Sequence, residues 1–188
     1  PLPAPSPDTV VLAPGEAIQI RSLHALTSSN GFLGGLSVGL NRTVEMAIAD
    51  YGGAIHGHSV AVAHKDTARN PETAKTAAQA IVAEQNVVGV IGTVNAGTAI
   101  AASSVITTAG MTMISGSNND PSLTSNLDGV AGENWNEGYY RTRNNDIHFS
   151  IAMATFARDK LDADSAAIIY QQDNVFWGAS SVQFEKTF

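Results

Sequence analysis

The chain contains 188 residues, of which 44% are hydrophobic and 14% are charged, and its formal net charge at pH 7 is −7. This length supports one full core of about 100 to 150 residues plus a remainder. The acidic balance argues against nucleic acid and against an anionic membrane surface as the main partner, because both require a basic face on the protein. The absence of cysteine excludes disulfides, thiolate metal sites and cysteine nucleophiles. No stretch reaches the roughly 18 apolar residues of a membrane span, and any export signal has been removed or was never present.

Short apolar segments rich in β-branched residues alternate with helix-length segments through the first 142 residues. The proline-rich leader at 1–15 is predicted to be an extended tether, with a disordered end as the equal alternative. Asn70 followed by Pro71 is typical of a helix start, and Gly52 with Gly53 is typical of a helix end. The order of elements predicts a doubly wound, mostly parallel sheet in an N-terminal α/β lobe over 16–142. The predicted elements are a strand at 17–23, a loop at 24–33, a helix at 34–51, a strand at 59–63, a helix at 70–85, a strand at 87–91, a helix at 97–109, a strand at 111–114 and an edge strand at 138–142.

The composition changes at 143–146, where an incomplete second α/β lobe, 143–188, is predicted to begin. Asp146 is predicted to cap a helix at 147–161, which is followed by a strand at 165–170, a polar turn at 171–174 and a helix from about Gly178. One strand alone cannot form a parallel sheet. The chain is therefore expected to be a fragment of a longer protein, or a half that borrows a second lobe from another copy.

The central stretch from Asn86 to Ser125 is predicted to hold the functional residues. Its two buried strands and the intervening helix form a βαβ unit, whose right-handed crossover places the carboxyl ends of both strands at one edge of the sheet. Ligands of open parallel sheets bind beyond that edge. In this chain two polar turns, 93–98 and 115–120, lie there.

The first polar turn is predicted to bind an anion. Asn95 stands at the N-cap position, so the amides of Ala96, Gly97 and Thr98 lack partners within the helix. Free amides and the helix dipole attract a carboxylate or a phosphate, although an ordinary capped helix has the same pattern. The second turn offers carbonyl, hydroxyl and amide oxygens that suit an ammonium donor, and its alternative is an ordinary polar turn.

Enzyme signatures are missing from the sequence. It contains no G-x-G-x-x-G after a strand, no G-x-x-x-x-G-K-[ST], no G-x-S-x-G and no H-E-x-x-H. His56 and His58 form an H-x-H, which in a glycine-rich turn without a nearby carboxylate is interpreted as a solvated turn rather than a metal site. The other histidines are scattered, and nothing in the sequence pairs them with a serine. We therefore predict no catalytic residue, no metal and no cofactor.

Several stretches of the chain resemble one known family. They are IQIRSLHALTSSNGFLG, EMAIADYGGAIHGHSVAV, PETAKTAAQAIVAEQNVVGVIGT, GMTMISGSNNDPSLTS and AGENWNEGYYRTRNND, and they extend over nearly the whole chain from Ala17 onward. Their order resembles the N-terminal lobe of the branched-chain amino-acid-binding proteins, which are type I periplasmic binding proteins that feed ABC importers. The resemblance implies two α/β lobes that hold a ligand in a hinged cleft.

The resemblance also implies a set of ligand-binding residues. In the family the α-carboxylate of the ligand is held at the start of the helix after the third strand, and the α-ammonium is held in the turn after the fourth strand. An aromatic side chain from the second lobe closes over the ligand. The corresponding residues here are Asn95, Ala96, Gly97 and Thr98 for the carboxylate, Ser117, Asn118 and Asn119 for the ammonium, Trp177 for the closing aromatic, and Leu33 near a second family aromatic.

This chain departs from the family pattern at the start of that helix. The family commonly has Cys-Ser where this chain has Asn95 and Ala96, so the hydroxyl that contacts the carboxylate is missing unless Thr98 replaces it. One lost hydrogen bond to a charged group costs about 1.5 to 3 kcal/mol. The ligand is therefore left open among a branched-chain amino acid, an amide and a urea-like solute.

The resemblance predicts an extracytoplasmic solute receptor that delivers a small polar or zwitterionic ligand to the membrane subunits of an ABC importer. Its expected location is periplasmic or extracellular in a bacterium, with the signal peptide removed, and a lipid anchor is left open. Two alternatives use the same fold: a ligand-sensing domain, and a structural domain that self-associates through the incomplete second lobe. A small-molecule enzyme ranks last, because no nucleophile, base or metal set converges in sequence.

Overall fold

A mostly parallel sheet organises the first part of the computed structural model, which describes residues 10–125, 137–170 and 175–188. The chain divides into two compact units. The first contains Pro1–Ser117 and Asn136–Thr142, and the second contains Asn118–Trp135 and Arg143–Phe188. The lobes expected at 16–142 and 143–188 stay a prediction, and residues 1–9 of the expected leader lie outside the described residues.

Strands and helices alternate along the first unit as the sequence predicts. Two elements of the structure were not predicted. One is a short strand before the turn at His56 and Gly57, and the other is a 3-10 turn in the second unit, Pro121–Leu123. The strands are β1 (Ile18–His24), β2 (Ala54–Ile55), β3 (His58–Asp66), β4 (Val87–Gly92), β5 (Thr112–Ser115) and β6 (Tyr139–Arg141), and the helices are α1 (Gly31–Asp50), α2 (Pro71–Val82), α3 (Ala96–Thr108), α4 (Asp146–Leu161) and α5 (Val175–Thr187).

The six strands form one sheet in the order β2-β3-β1-β4-β5-β6. All neighbouring pairs are parallel except β2 and β3, which form a short antiparallel hairpin. Ser22 in the middle of the sheet pairs with His64 on one side and with Ile91 on the other. The sheet confirms the predicted α/β class and places β4 beside β5, so that their carboxyl ends are neighbours.

Helix α1 begins earlier than the sequence indicated. Residues 31–33 were expected to belong to a loop, but Asn30 has an extended backbone and its side chain accepts a hydrogen bond of 3.2 Å from the Leu33 amide. A side-chain oxygen at the N-cap compensates for the lack of helical partners in the first turn. The glycines in this stretch therefore do not prevent the helix from starting at Gly31.

Helices α2 and α3 pack against each other through small side chains. Ala74, Ala78, Ala99 and Ala102 are completely buried, which lets the two helices approach closely. The Asn70 side chain caps α2 by accepting from the amides of residues 72 and 73 at 2.8 and 3.1 Å. The predicted start of α2 at an Asn-Pro step is confirmed, with proline in its first turn.

Strand β4 ends at a glycine that no other residue replaces easily. Gly92 has φ +149°, and a Cβ atom built on it would lie 2.2 Å from the carbonyl oxygen of Leu23 in β1. Real side chains do not approach a backbone oxygen so closely, and L-residues avoid this conformation. Glycine at this point allows β4 to stay paired with β1 up to the turn that leads into α3.

In the second unit α4 and α5 are confirmed, but two details of the prediction are wrong. The helix cap is Asn145, whose Oδ1 accepts from the His148 amide at 3.3 Å, and Asp146 is the first helical residue. Residues 165–170 were expected to form a strand, yet they have no regular secondary structure, and Ile169 is 98% exposed. No strand of the described second unit offers this segment the backbone hydrogen bonds that a strand needs. The turn expected at 171–174 lies outside the described residues.

Among the described residues, no helix is both long and apolar enough to cross a membrane. The same residues contain no group of three His, Asp or Glu side chains placed to hold a metal ion.

Candidate functional site

The two polar corners after β4 and β5 contact each other through serine hydroxyls. Ser115 Oγ donates to the carbonyl oxygen of Thr93 at 3.1 Å, and Ser117 Oγ donates to the carbonyl oxygen of Val94 at 3.3 Å. Ser115 and Thr93 are completely buried. These bonds fix the turn after β5 against the turn after β4. The expected proximity of the two turns is therefore confirmed for Ser115 and Ser117 of the second turn.

The start of α3 presents three backbone amides that have no acceptor in the part of the chain that the structure describes. Asn95 is the N-cap, with φ −122° and ψ 148°, but its side chain does not cap the helix. Within the described residues no acceptor is found for the amides of Ala96, Gly97 and Thr98, and the first amide to find one is that of Ala99, which donates to the Asn95 carbonyl at 3.1 Å. Gly97 is exposed, and Asn95 and Ala96 are half-buried. The corner therefore offers N–H donors and the positive end of a helix dipole to an anion.

The Thr98 hydroxyl is used inside the protein. Thr98 is completely buried, and its Oγ1 lies 2.9 Å from each of three acceptors: Thr93 Oγ1, the Asn95 carbonyl and Asn95 Oδ1. A hydroxyl has a single hydrogen to donate, and here it has three internal acceptors. It orders the turn and orients the Asn95 side chain, so what Thr98 offers to a ligand is its backbone amide.

In the second unit, Asn119 is joined to Asp146 by two hydrogen bonds. Asn119 Nδ2 donates to Asp146 Oδ1 at 2.7 Å, and the Asp146 amide donates to the Asn119 carbonyl at 2.9 Å. Ser180 Oγ in α5 donates weakly to Asp146 Oδ2 at 3.5 Å. Burial raises the pKa of the Asp146 carboxyl above its usual value, and the nearby Asp120 carboxylate adds to this rise. The Asn119 hydrogen bond and the Arg143 charge lower the same pKa, but they do not cancel the effect of burial.

The other predicted ligand-binding residues are distributed over both units. Ser117 is half-buried in the first unit, and Asn118 is buried in the second. Leu33 is half-buried in the first turn of α1. Trp177 lies in α5, but its side chain is outside the described residues. The binding roles of these four residues stay predictions.

A polar network that the sequence did not reveal lies between α1 and the sheet, and it extends from the buried Ser22 to the exposed side chain of Glu45. Ser22 Oγ is 2.6 Å from both Asn41 Oδ1 and His64 Nδ1, and His64 Nε2 is 2.9 Å from Glu45 Oε1. A serine thus lies next to a histidine that in turn contacts a carboxylate, an arrangement that the sequence did not indicate. Ser22 is completely buried, so no substrate can reach its hydroxyl, and the network stabilises the fold instead of forming a nucleophile.

His24 lies beside that network on the wall of an apolar cavity. The cavity, of about 420 Å³, lies between α1 and the sheet and is lined chiefly by aliphatic side chains such as Ile20, Val44 and Val60. His24 is 3% exposed, and neither ring nitrogen has a hydrogen-bond partner among the described residues. Burial, followed by the charge of His64, lowers its pKa to about 4. His24 is therefore neutral at pH 7.

A mostly parallel α/β lobe, with amides at the carboxyl end of a central strand that lack an acceptor among the described residues, is typical of the open-sheet class of ligand-binding proteins. The chain belongs to the periplasmic binding protein family, whose family model matches residues 23–188. The family expected from the sequence is therefore confirmed.

Individual relatives differ in role and in ligand. The chain is 29% identical over 170 residues to BasB, the substrate-binding protein of a chemotactic signal transduction system in Halobacterium salinarum, with 88% of this chain and 40% of BasB covered. Its fold is similar to that of the leucine binding protein LivK from Thermotoga maritima, at 17% identity and a TM-score of 0.76, covering 92% of this chain and 45% of LivK. It is also similar to an ABC transporter solute binding protein from R. palustris in complex with 4-hydroxybenzoate, at 19% identity and a TM-score of 0.76, covering 92% of this chain and 44% of that protein. The chain thus spans less than half the length of each of these relatives.

Proposed function

We propose that this chain forms a ligand-binding lobe of an extracytoplasmic solute receptor that serves an ABC importer. The observation that supports it best is the set of amides of Ala96, Gly97 and Thr98, which have no acceptor among the described residues. A turn whose Thr98 hydroxyl bonds inside the protein holds them beyond the carboxyl end of β4. Such a corner stabilises a negative charge without needing a basic side chain. The acidic chain can therefore bind an anionic group locally.

The proposed ligand is a small solute with a carboxylate. Leucine and 4-hydroxybenzoate, the ligands named for two of the structural relatives, have little in common except this group. The three N–H donors at the start of α3, together with the positive end of the helix dipole, suit the two negatively charged oxygens of a carboxylate. The amide and urea ligands left open by the sequence lack the negative charge, so we rank them lower.

Titration calorimetry on the complete protein tests this function. The probes are leucine, isoleucine, 4-hydroxybenzoate and urea, with leucine methyl ester as the matched compound that lacks the carboxylate. We expect at least one carboxylate probe to bind, and we expect the methyl ester to bind at least tenfold more weakly than leucine or not at all. Binding of urea or of the ester without binding of any carboxylate would contradict the proposal.

A sensory receptor is the second candidate, and the similarity to the chemotactic protein BasB favours it. The same lobe would then pass the ligand signal to a transducer instead of to importer subunits. Deletion of the gene separates the two roles: loss of uptake of the bound solute indicates transport, and loss of chemotaxis with normal uptake indicates sensing. Self-association through the second unit is the structural alternative, and light scattering at several concentrations tests it.

A further inference from the structure

The apolar cavity between α1 and the sheet has the size of a small-molecule site. Its volume is about 420 Å³, and all of the residues that line it belong to the first unit. Ligand pockets in proteins measure about 300 to 1,000 Å³. Two turns of an α-helix with side chains, about 10 Å wide and 11 Å long, occupy roughly 850 Å³. The cavity is therefore too small to take in a helix, whereas a molecule of one or two rings fits it.

The lining of the cavity includes both buried and exposed side chains. His24 and Val44 are 3% and 9% exposed, whereas Tyr51 at the end of α1 and Ile55 in β2 are 73% and 37% exposed. The cavity thus reaches from the interior of the lobe to its surface. A ligand can enter beside the end of α1 and become buried against the sheet.

His24 is the polar side chain of the lining that a ligand can satisfy. The hydroxyl of Thr43, which also lines the cavity, donates to the Gly39 carbonyl within α1 at 2.9 Å. The two ring nitrogens of His24 are buried and have no partner among the described residues. A neutral imidazole has one donor and one acceptor nitrogen, and an unmet buried polar atom costs stability. Since the χ2 torsion of histidine is broad, the ring can turn its acceptor nitrogen toward a ligand that brings an N–H or O–H.

The charge state of the wall excludes ions as ligands. No Asp, Glu, Lys or Arg side chain lines the cavity, and His24 is neutral at pH 7 because burial and the His64 charge lower its pKa to about 4. Transfer of an ion into such a place costs far more than one hydrogen bond returns. The other lining side chains are chiefly aliphatic, so an apolar body gains from contact with them.

We propose that this cavity is a second ligand site, which binds a small, uncharged, mostly apolar molecule with one N–H or O–H group, of the chemical class of indoles and phenols. The apolar rings lie against the aliphatic side chains of α1 and the sheet, and the N–H or O–H donates to His24. None of residues 93–98 lines the cavity. The site is therefore independent of the proposed carboxylate site, and a ligand that binds it stabilises the folded first unit.

Indole and indene are the probes, because these two bicyclic molecules differ mainly in the N–H group. The complete protein is titrated with each, and binding is followed by NMR chemical shifts and by the rise in Tm. We expect saturable binding of both. In His24→Phe the ratio of indole affinity to indene affinity is expected to fall by about two- to tenfold, the range of one neutral hydrogen bond. A merely structural role of His24 would change both affinities alike and leave this ratio unchanged.

A cavity-filling variant with a matched control locates the probes. Ala47 and Ala49 are both exposed on α1, but only Ala47 lines the cavity. Ala47→Phe places a ring in the cavity and is expected to weaken the binding of both probes at least tenfold. Ala49→Phe is expected to bind both within about twofold of the wild type. Circular dichroism and thermal unfolding check that both variants are folded.

The outcomes separate this site from the proposed function. Absence of binding of both probes to the complete protein overturns the inference, and so does unchanged binding in folded Ala47→Phe. An unchanged affinity ratio in His24→Phe also overturns it, because the donor would then not be recognised by His24. We expect indole to bind within about twofold when the best carboxylate probe is saturating, and displacement of indole by that probe contradicts a separate site. A protein that binds indole but no carboxylate loses the proposed function and keeps this site.

Discussion

Replacement of Ala96 by proline tests whether the amides at the start of α3 hold a carboxylate. Ala96 is the first residue of α3, a position where proline is tolerated because its missing N–H has no helical partner. Asn95 has φ −122° and ψ 148°, which is the extended conformation that a following proline requires. Helix α2 already contains the same arrangement, with Asn70 at φ −114° and ψ 126° before Pro71. The variant is therefore expected to lose one N–H donor while α3 stays folded.

The expected loss of affinity follows from the number of donors. One hydrogen bond to a charged group contributes about 1.5 to 3 kcal/mol, which corresponds to roughly 10- to 150-fold in Kd. The amides of Gly97 and Thr98 remain, and so does the helix dipole, which adds roughly 0.3 to 1 kcal/mol at an exposed site. We therefore expect the lower end of this range, a loss of about tenfold.

The assay is titration calorimetry with the carboxylate probe that binds best to the wild type. Ala96→Gly is the matched control, because it removes the methyl group and keeps the N–H, and it is expected to bind within about threefold of the wild type. Circular dichroism and thermal unfolding check that the proline variant is folded. If folded Ala96→Pro binds as tightly as the wild type, the amides of α3 do not hold the ligand.

Four further variants test the site and the fold. Ala96→Ser restores the hydroxyl expected from the family pattern and should bind a carboxylate probe several-fold more tightly, as measured by calorimetry; weaker binding would contradict this. Gly92→Ala places a methyl group against the Leu23 carbonyl, so it should lower the free energy of unfolding, measured in urea, by about 3 kcal/mol or more. Gly35→Ala is the control, because nothing lies within 4 Å of the new Cβ. It should raise the free energy of unfolding by up to about 1 kcal/mol. The His24 pKa of about 4 lies below the usual histidine value of 6.5. The unfolded chain therefore binds the proton first, and about 3 kcal/mol of stability present above pH 6.5 should be lost on the way to pH 4. Phenylalanine at this position should remove that part of the pH dependence of urea unfolding without destabilising the protein at pH 7, and an unchanged pH dependence would refute the assignment.

The first unit could be predicted well because local signals and tertiary packing agree there. The β-branched run from Val87 to Ile91 favours a strand by its length and composition, and the fold places it in the sheet as β4. The same holds for the Asn70–Pro71 start of α2, where the asparagine caps the helix through two hydrogen bonds. When propensity, capping and burial favour the same structure, a single sequence is sufficient to predict it.

The predicted strand at 165–170 failed for the opposite reason. The segment contains Ile168, Ile169 and Tyr170, which favour a strand by composition, but a strand also requires a neighbour that accepts its hydrogen bonds. Such a neighbour is a tertiary feature, and the described second unit provides none. The composition therefore predicted a preference for a strand, but residues 165–170 do not form one.

In the candidate site the sequence located the backbone donors but not the roles of the side chains. Asn95 was correctly placed at the N-cap, yet its Oδ1 accepts from the Thr98 hydroxyl and not from the helix amides. Thr98 had been considered a substitute for the missing serine, and its complete burial among three acceptors makes it a part of the turn instead. Position along a helix follows from local sequence, whereas the direction of a hydroxyl depends on the neighbours that the fold provides.

The same distinction separates contacts within a short stretch of sequence from contacts between distant residues. The proposed anion-binding corner is formed by consecutive residues, 95–98, so its chemistry is visible in a short stretch of sequence. By contrast, Asn119 and Asp146 are 27 positions apart, and they meet because the fold places the first residue of α4 against the turn that contains Asn119. Asn119 alone could donate or accept with equal ease, and its contact with a carboxylate decides between the two. Local sequence therefore indicates the capping position at residues 95–98, whereas a contact between distant residues such as Asn119 and Asp146 becomes visible only in the fold.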